Sequence, residues 1–374
     1  SFWRQEVPLI MNNKRDFMVA NVSAWRGMWD KDFAKAALDR IQRHKYYPIY
    51  EEMAAKAGND FLRPLEQKGL PAWQREESFM ILGSDRPIPR LMEKVPWVRL
   101  SQRAFVTGTN EMNWRIFTRY LDNLYRQNER MSLGKMRVPK NGFNIEKEAG
   151  AFAAMLTDMT GRANIGPRNT LSPAMNAGFF SLRLNLGRLL TPRHLFSANP
   201  RIRGEARANL ATFVGTIAAV ELLGEKLGLW SVEKDPRNAD FLQIRVGDTR
   251  VDPWGGYRKF AVFYSRIATR QHESSTTGEQ KKTDAIRTTG NFVRGMLSPL
   301  AAFSTDAITG KNYIGEEVDL KSTRQWANRV APFAMGDIVE GINEEGFKGG
   351  AVAASALVGG GVGTYPTPLV EYYN

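Results

Sequence analysis

Three histidines, His44, His194 and His272, are the whole supply of imidazole in the chain. No two are close enough in sequence to make a His-x-x-x-His metal pair or a short Ser/His relay, so lone surface positions are expected for all three. The 374 residues include no cysteine, which excludes thiolate metal sites, thiol nucleophiles and disulfides together. Asp248 and Asp252 could be drawn as paired carboxylates. Turn and capping duties account for both more simply: Asp248 follows Gly247 in a tight turn, and Asp252 stands before Pro253 as a helix-entry residue. There is no G-x-x-x-x-G-K-[ST] phosphate loop, and the run Gly359-Gly360-Gly361 lacks the lysine a nucleotide site would need. These residues name no catalytic, cofactor-binding or metal-binding set, and the expectation is a non-enzyme. A glycosidase needs only two carboxylates, which any sequence supplies, so a cell-wall-degrading enzyme fragment stays open as an alternative.

Arginine is the second chemical feature. Between residues 162 and 207 there are eight arginines, no lysine and a single acid, Glu205, in a chain whose formal net charge is +13. A guanidinium presents a planar fork of donors that suits phosphate, so Arg183, Arg188, Arg193, Arg201 and Arg203 form the candidate set for DNA phosphates or anionic headgroups. The competing reading pairs these residues with acids elsewhere and with helix C-terminal carbonyls. A nucleic-acid-binding factor therefore stands as a further functional alternative.

The elements that would position these residues are mainly helical. Ala34, Leu38 and Ile41 recur at helical spacing, as do Trp114, Phe117, Leu121 and Leu124. Five prolines between residues 63 and 98 break that stretch into short helices and extended pieces. Glycines and a proline across 131–144 suggest a boundary, which gives a helical arm over 1–140, a central helical domain over 141–270 and C-terminal helices with a glycine-rich tail over 271–374. Ala149, Phe152, Ala153, Leu156 and Met159 mark one face of a helix closed by Gly161 in the left-handed cap position. Residues 206–223 are apolar nearly all round and predict a buried central helix, their uncharged run being shorter than the roughly 20 residues of a bilayer span. Alternation over 241–251 about Gly247-Asp248 predicts one small β-hairpin, followed by a helix with the face Tyr257, Phe260, Ala261, Tyr264, Ile267 and Ala268. A polar loop is expected over 271–284, then helices over 285–297, up to Gly310, and over 332–345. The last uncharged stretch, 349–370, carries six glycines and two prolines. It reads as a short helix over 351–357 and an extended tail packing on a neighbour. Residues 2–8 show no basic-then-apolar leader pattern. The fold class expected is mainly α, an irregular multi-helix assembly with one small β-hairpin near residues 241–251.

Ordered blocks within these elements carry a resemblance. Leu156-Thr157-Asp158-Met159-Thr160-Gly161-Arg162 and Asn176-Ala177-Gly178-Phe179-Phe180-Ser181-Leu182-Arg183 come first. Asp235-Pro236-Arg237-Asn238-Ala239-Asp240-Phe241, Ile244-Arg245-Val246-Gly247-Asp248-Thr249-Arg250 and Asp252-Pro253-Trp254-Gly255-Gly256-Tyr257 follow. Later come Thr309-Gly310-Lys311-Asn312-Tyr313-Ile314-Gly315-Glu316 and Gly361-Val362-Gly363-Thr364-Tyr365. In this order they resemble a domain family of large polyvalent bacteriophage proteins, over roughly residues 146–365. The resemblance implies an internal virion or DNA-ejection protein that is packaged in the particle interior or tail lumen and reaches the host envelope after ejection. It implies no cofactor and no catalytic residues. Other ejection, portal or tail proteins, further copies of the chain, packaged DNA and the host envelope membrane are the partners it suggests. A static portal or tail component is the reading to be separated from it.

Overall fold

The computed structural model of the chain describes residues 2–65, 96–139, 142–164, 182–247, 249–273, 280–296 and 361–364. Ten α-helices are described: α1 (Phe2–Ile10), α2 (Lys14–Trp29), α3 (Lys31–Gln42), α4 (Tyr47–Ala57), α5 (Pro96–Ser132), α6 (Ile145–Met159), α7 (Leu182–Leu190), α8 (Pro200–Lys226), α9 (Arg258–Thr269) and α10 (Ala285–Arg294). A single 3-10 helix, Thr191–Phe196, joins α7 to α8. Strands β1 (Ser231–Val232), β2 (Ile244–Val246), β3 (Thr249–Asp252) and β6 (Gly361–Thr364) form an antiparallel sheet in the order β1-β2-β3-β6. A separate ladder pairs β4 (Gln271–Glu273) with β5 (Gln280–Lys282). The mainly α expectation holds.

Helix α5 is the axis of the fold. Its 37 residues span about 55 Å at 1.5 Å per residue, and Met112, Ile116, Phe117, Tyr120, Leu121 and Leu124 are buried along it. Tyr50, Phe61, Trp114 and Phe117 pack ring against ring, with Tyr50–Phe61 centroids 4.8 Å apart and Phe61–Phe117 5.1 Å apart. Tyr120 stacks on Phe152 of α6 at 3.8 Å. Helix α2 lies along α5, with Gly27 so close to Thr107 that an added Cβ would sit 2.6 Å from its hydroxyl.

Local sequence explains the ends of these helices. Asp30 closes α2 and caps α3 by accepting from the Phe33 amide at 2.9 Å. Asn144 caps α6 through the Lys147 amide, and Asn199 caps α8 through the Arg201 and Ile202 amides, with Pro200 in the first turn where its missing donor costs nothing. At the other end of α6 the Gly161 and Arg162 amides reach back to the Asp158 and Thr157 carbonyls, with Gly161 at φ +72°. This is the left-handed cap the sequence anticipates.

Several expectations need correction. The boundary near residue 140 does not divide two cores: Leu9, Ile41, Phe117, Leu124, Phe152 and Ile202 belong to one apolar cluster, because α1, α3, α5, α6 and α8 all pack around α5 and α6. Helix α8 is not buried all round. Ile202, Ala206, Asn209, Phe213, Ile217, Glu221 and Gly224 make its inner face, while Val214, Val220, Leu222 and Leu223 face outward, since among the described residues only one side of the helix is covered. The polar stretch after α9 is not a plain loop, since Gln271, His272 and Glu273 pair with Lys282, Lys281 and Gln280. Asp252 is not a helix cap: it lies in β3 and accepts from the Trp254 amide at 2.9 Å, and α9 begins six residues later after a turn. The predicted hairpin is present, with Val246 opposite Thr249, and it is enlarged on both sides by β1 and β6. The expected extended tail thus pairs, at residues 361–364, with β3 of its own chain. Asp248, nearly all of the proline-rich stretch, the segments over 298–345 and the short helix over 351–357 lie outside the described residues.

Candidate functional site: a buried polar centre and an exposed apolar helix face

Where α6 ends, polar side chains are gathered under the surface. Asp158 is 1% exposed, and its Oδ2 meets His194 Nε2 at 2.7 Å and Arg193 Nη2 at 2.9 Å. An acid in the last turn opposes the helix dipole, so two cationic or donor groups closing on it satisfy both charge and geometry. That misplaced acid is the signal from which a partner for Asp158 could have been sought in the sequence. His194 is therefore buried, contrary to the expected surface position, because the 3-10 helix turns it inward. His44 also packs inward, edge-on against Trp114 at 5.4 Å, and desolvation holds its imidazole below the usual range. Desolvation lowers His272 too, helped by Arg266.

The candidate arginines do not assemble into an outward phosphate surface. Arg183 is buried and donates to the Ala163 and Arg162 carbonyls at 3.0 and 2.9 Å, covering the chain just past α6. Arg188 is buried over the Tyr257 ring, 5.6 Å from its centroid, and packs so tightly on Gly256 that a Cβ there would sit 2.5 Å from Nη1. Arg193 holds Asp158. Arg201 reaches Glu148 at 3.2 Å and Gln127 at 3.1 Å, and Arg203 donates to the Ser197 carbonyl at 2.9 Å. Internal acids engage Arg193 and Arg201, and backbone carbonyls engage Arg183 and Arg203.

A second polar knot links α1, α5 and the chain after α4. The Arg63 amide donates to Asn110 Oδ1, and Asn110 Nδ2 returns a bond to the Arg63 carbonyl, both at 2.7 Å. Arg162 bridges the Leu62 carbonyl at 2.6 Å and Asp60 at 3.3 Å. Glu6 of α1 is fully buried beside Arg63 and Asn113. Burial pushes its carboxyl up to about 8 despite the pull of Arg63. Nothing in the sequence around Glu6 marks it, since its burial comes from distant elements. Nearby, a groove of about 930 Å³ opens between α3, α4 and the start of α5, bordered by Asp39, Glu51, Arg99 and Arg103 and reaching Pro64 and Leu65, where the described chain pauses.

The hairpin is tied to α8 by a third set of contacts. Arg250 is fully buried, with Nε 3.2 Å from Asp240 Oδ2 and Nη1 3.0 Å from the Gly247 carbonyl. Trp254 Nε1 donates to Glu221 at 2.9 Å and to the Leu242 carbonyl at 3.1 Å, and its ring meets Phe213 edge-on. Burial moves the Glu221 carboxyl up to about 7 while the indole donor opposes the shift. The Trp230 ring lies over Gly224, where a Cβ would meet it at 1.8 Å.

In these knots carbonyls are capped, ion pairs are closed and neighbouring elements are tied together. Among the described residues no three His, Asp or Glu side chains form a group that could hold a metal ion. Helix α8 is 27 residues long, and its most apolar window has a mean hydropathy of 1.3 and is 28% buried. Leu222, Leu223, Leu227 and Leu229 are each more than half exposed at its C-terminal end, beside Lys226. No family model, no curated protein and no solved structure matches the chain.

Proposed function

We propose that the chain is a bacteriophage internal virion protein of the ejection kind, which acts by assembly and passage and not by turnover of a substrate. The observation that carries this reading is the outer face of α8. A helix of this length and apolarity, left with Val214, Val220, Leu222 and Leu223 in solvent, carries a standing cost that association with protein or lipid would relieve. The resemblance agrees with it in position. Among the residues of the resembling blocks, Asp158 and Gly161 tie α6 to the 3-10 helix and α7, Arg250 and Asp240 close the hairpin, Gly256 packs on Arg188 of α7, and Trp254 joins the hairpin to α8. In this reading they hold up the scaffold that displays α8.

The experiment is to follow the chain through infection. Particles purified before infection should contain it, and shells recovered after genome release should have lost it. Absence from the particle, or full retention in the emptied shell, removes the ejection role, and retention assigns a static portal or tail component instead.

A further inference from the structure

Helix α2 has its amphipathicity reversed. The face packed on α5 carries Asp16, Ala20, Ser23 and Gly27, at steps of four, three and four, and all of them are buried. The face turned to solvent carries Met18, Val22, Trp25 and Trp29 at the same steps, 68%, 61%, 65% and 54% exposed. Trp25 and Trp29 lie edge to face with centroids 6.0 Å apart. Small residues bring α2 close to α5, and Asp16 is anchored there by Arg115 and Arg119, so the helix cannot roll to bury its large side chains without breaking those ion pairs. Two tryptophans, each able to bury about 150–250 Å² when covered, give with Met18 and Val22 a patch of the size reserved for contacts.

We propose that this ridge is a homotypic interface, in which α2 of one copy packs antiparallel on α2 of a second. Alternating steps of four and three are the seam of a helix pair. An antiparallel two-fold places Met18 against Trp29 of the partner subunit and Val22 against the partner's Trp25, so each large ring meets a smaller side chain and the surface is complementary to itself. Charge fits the same orientation. Lys14 and Arg15 stand exposed at the start of α2, where the helix dipole disfavours cations, and Asp32 stands exposed in the first turn of α3, beyond the other end of the ridge. An antiparallel pair brings these opposite charges to the same end of the interface. A parallel pair would instead set Lys14 and Arg15 against their own copies. The interface is independent of α8 and of any role in ejection.

The test is the mass of the purified full chain in solution by sedimentation equilibrium, at ordinary and high salt. The native chain should self-associate. Trp25→Glu, at a side chain 65% exposed, should keep the helical circular dichroism and weaken association about 30-fold or more, the loss expected for a hot-spot side chain. Arg15→Asp should also weaken it, and Arg15→Asp with Asp32→Arg should restore it, which an unrelated surface effect would not do. A native chain that remains monomeric, a Trp25→Glu chain that associates normally, or a charge exchange that fails to rescue each overturns the proposal. Flotation of a monomeric native chain with phosphatidylglycerol vesicles, lost in Trp25→Glu, would assign the ridge to lipid and overturn it equally.

Discussion

Glu6 and Asp158 show two outcomes of burying a carboxylate. Glu6 is fully buried, its charge is opposed by desolvation, and the carboxyl is pushed up to about 8 when folded against about 4.5 when unfolded. Between those values the folded chain holds a proton that the unfolded chain has released, so stability falls as pH rises through the window and levels off above it. Denaturant midpoints measured across that range should fall for the native chain and fall less for Glu6→Gln. Parallel curves for the two would remove Glu6 as the source. Asp158 is buried with its partners already in place, His194 at 2.7 Å and Arg193 at 2.9 Å. Asp158→Asn keeps the shape and loses the charge, at an expected cost of about 1.5–3 kcal/mol, the range for hydrogen bonds to charged groups. Urea unfolding would measure it, and an unchanged midpoint would mean the centre adds nothing to stability.

At the scale of the element, glycines separate close approach from spare space. Gly187 of α7 lies against the end of α6, where an added Cβ would be 2.6 Å from the Asp158 carbonyl oxygen and 2.9 Å from Gly161 Cα. Both neighbours are backbone and cannot step aside, so Gly187→Ala should cost about 1–3 kcal/mol. Gly204 of α8 has nothing within 4 Å of the same position, and its helical backbone suits alanine. Gly204→Ala should raise stability by roughly 0.5–1 kcal/mol. Thermal unfolding of the two variants should move in opposite directions, and a shared sign would contradict this account of the helix contacts. Helix α8 also shows why an apolar sequence does not ensure burial: hydrophobicity is a property of the segment, whereas cover is supplied by other elements, and here they reach one side.

For the whole molecule, the distant pairing of β6 with β3 links the far end of the chain to the hairpin, with Val251 opposite Val362 and Asp252 opposite Gly361. A chain ending at residue 360 leaves the outer edge of β3 without that partner. Hydrogen exchange should then quicken at Thr249–Asp252 and stay slow along α5 and α6, whose cluster does not include the sheet. Uniform quickening would show that sheet and helical core unfold as one unit. The charge of +13 is likewise a whole-molecule property, and among the described residues Arg183, Arg193 and Arg201 are engaged by internal acids and carbonyls.

Local information in the sequence was enough for the helices over α3, α5, α6 and α9, the Gly161 cap and the hairpin around Gly247, because periodicity, capping and turn chemistry act within a few residues. The absence of cysteine chemistry was likewise readable from composition alone. Tertiary structure decided which arginines are engaged, that His194 turns inward to Asp158, that Glu6 is fully buried, and that β6 returns to the hairpin. It also decided that α2 and α8 each keep a large apolar face in solvent. Each of these depends on contacts between residues far apart in the chain, for which a single sequence carries no local signal.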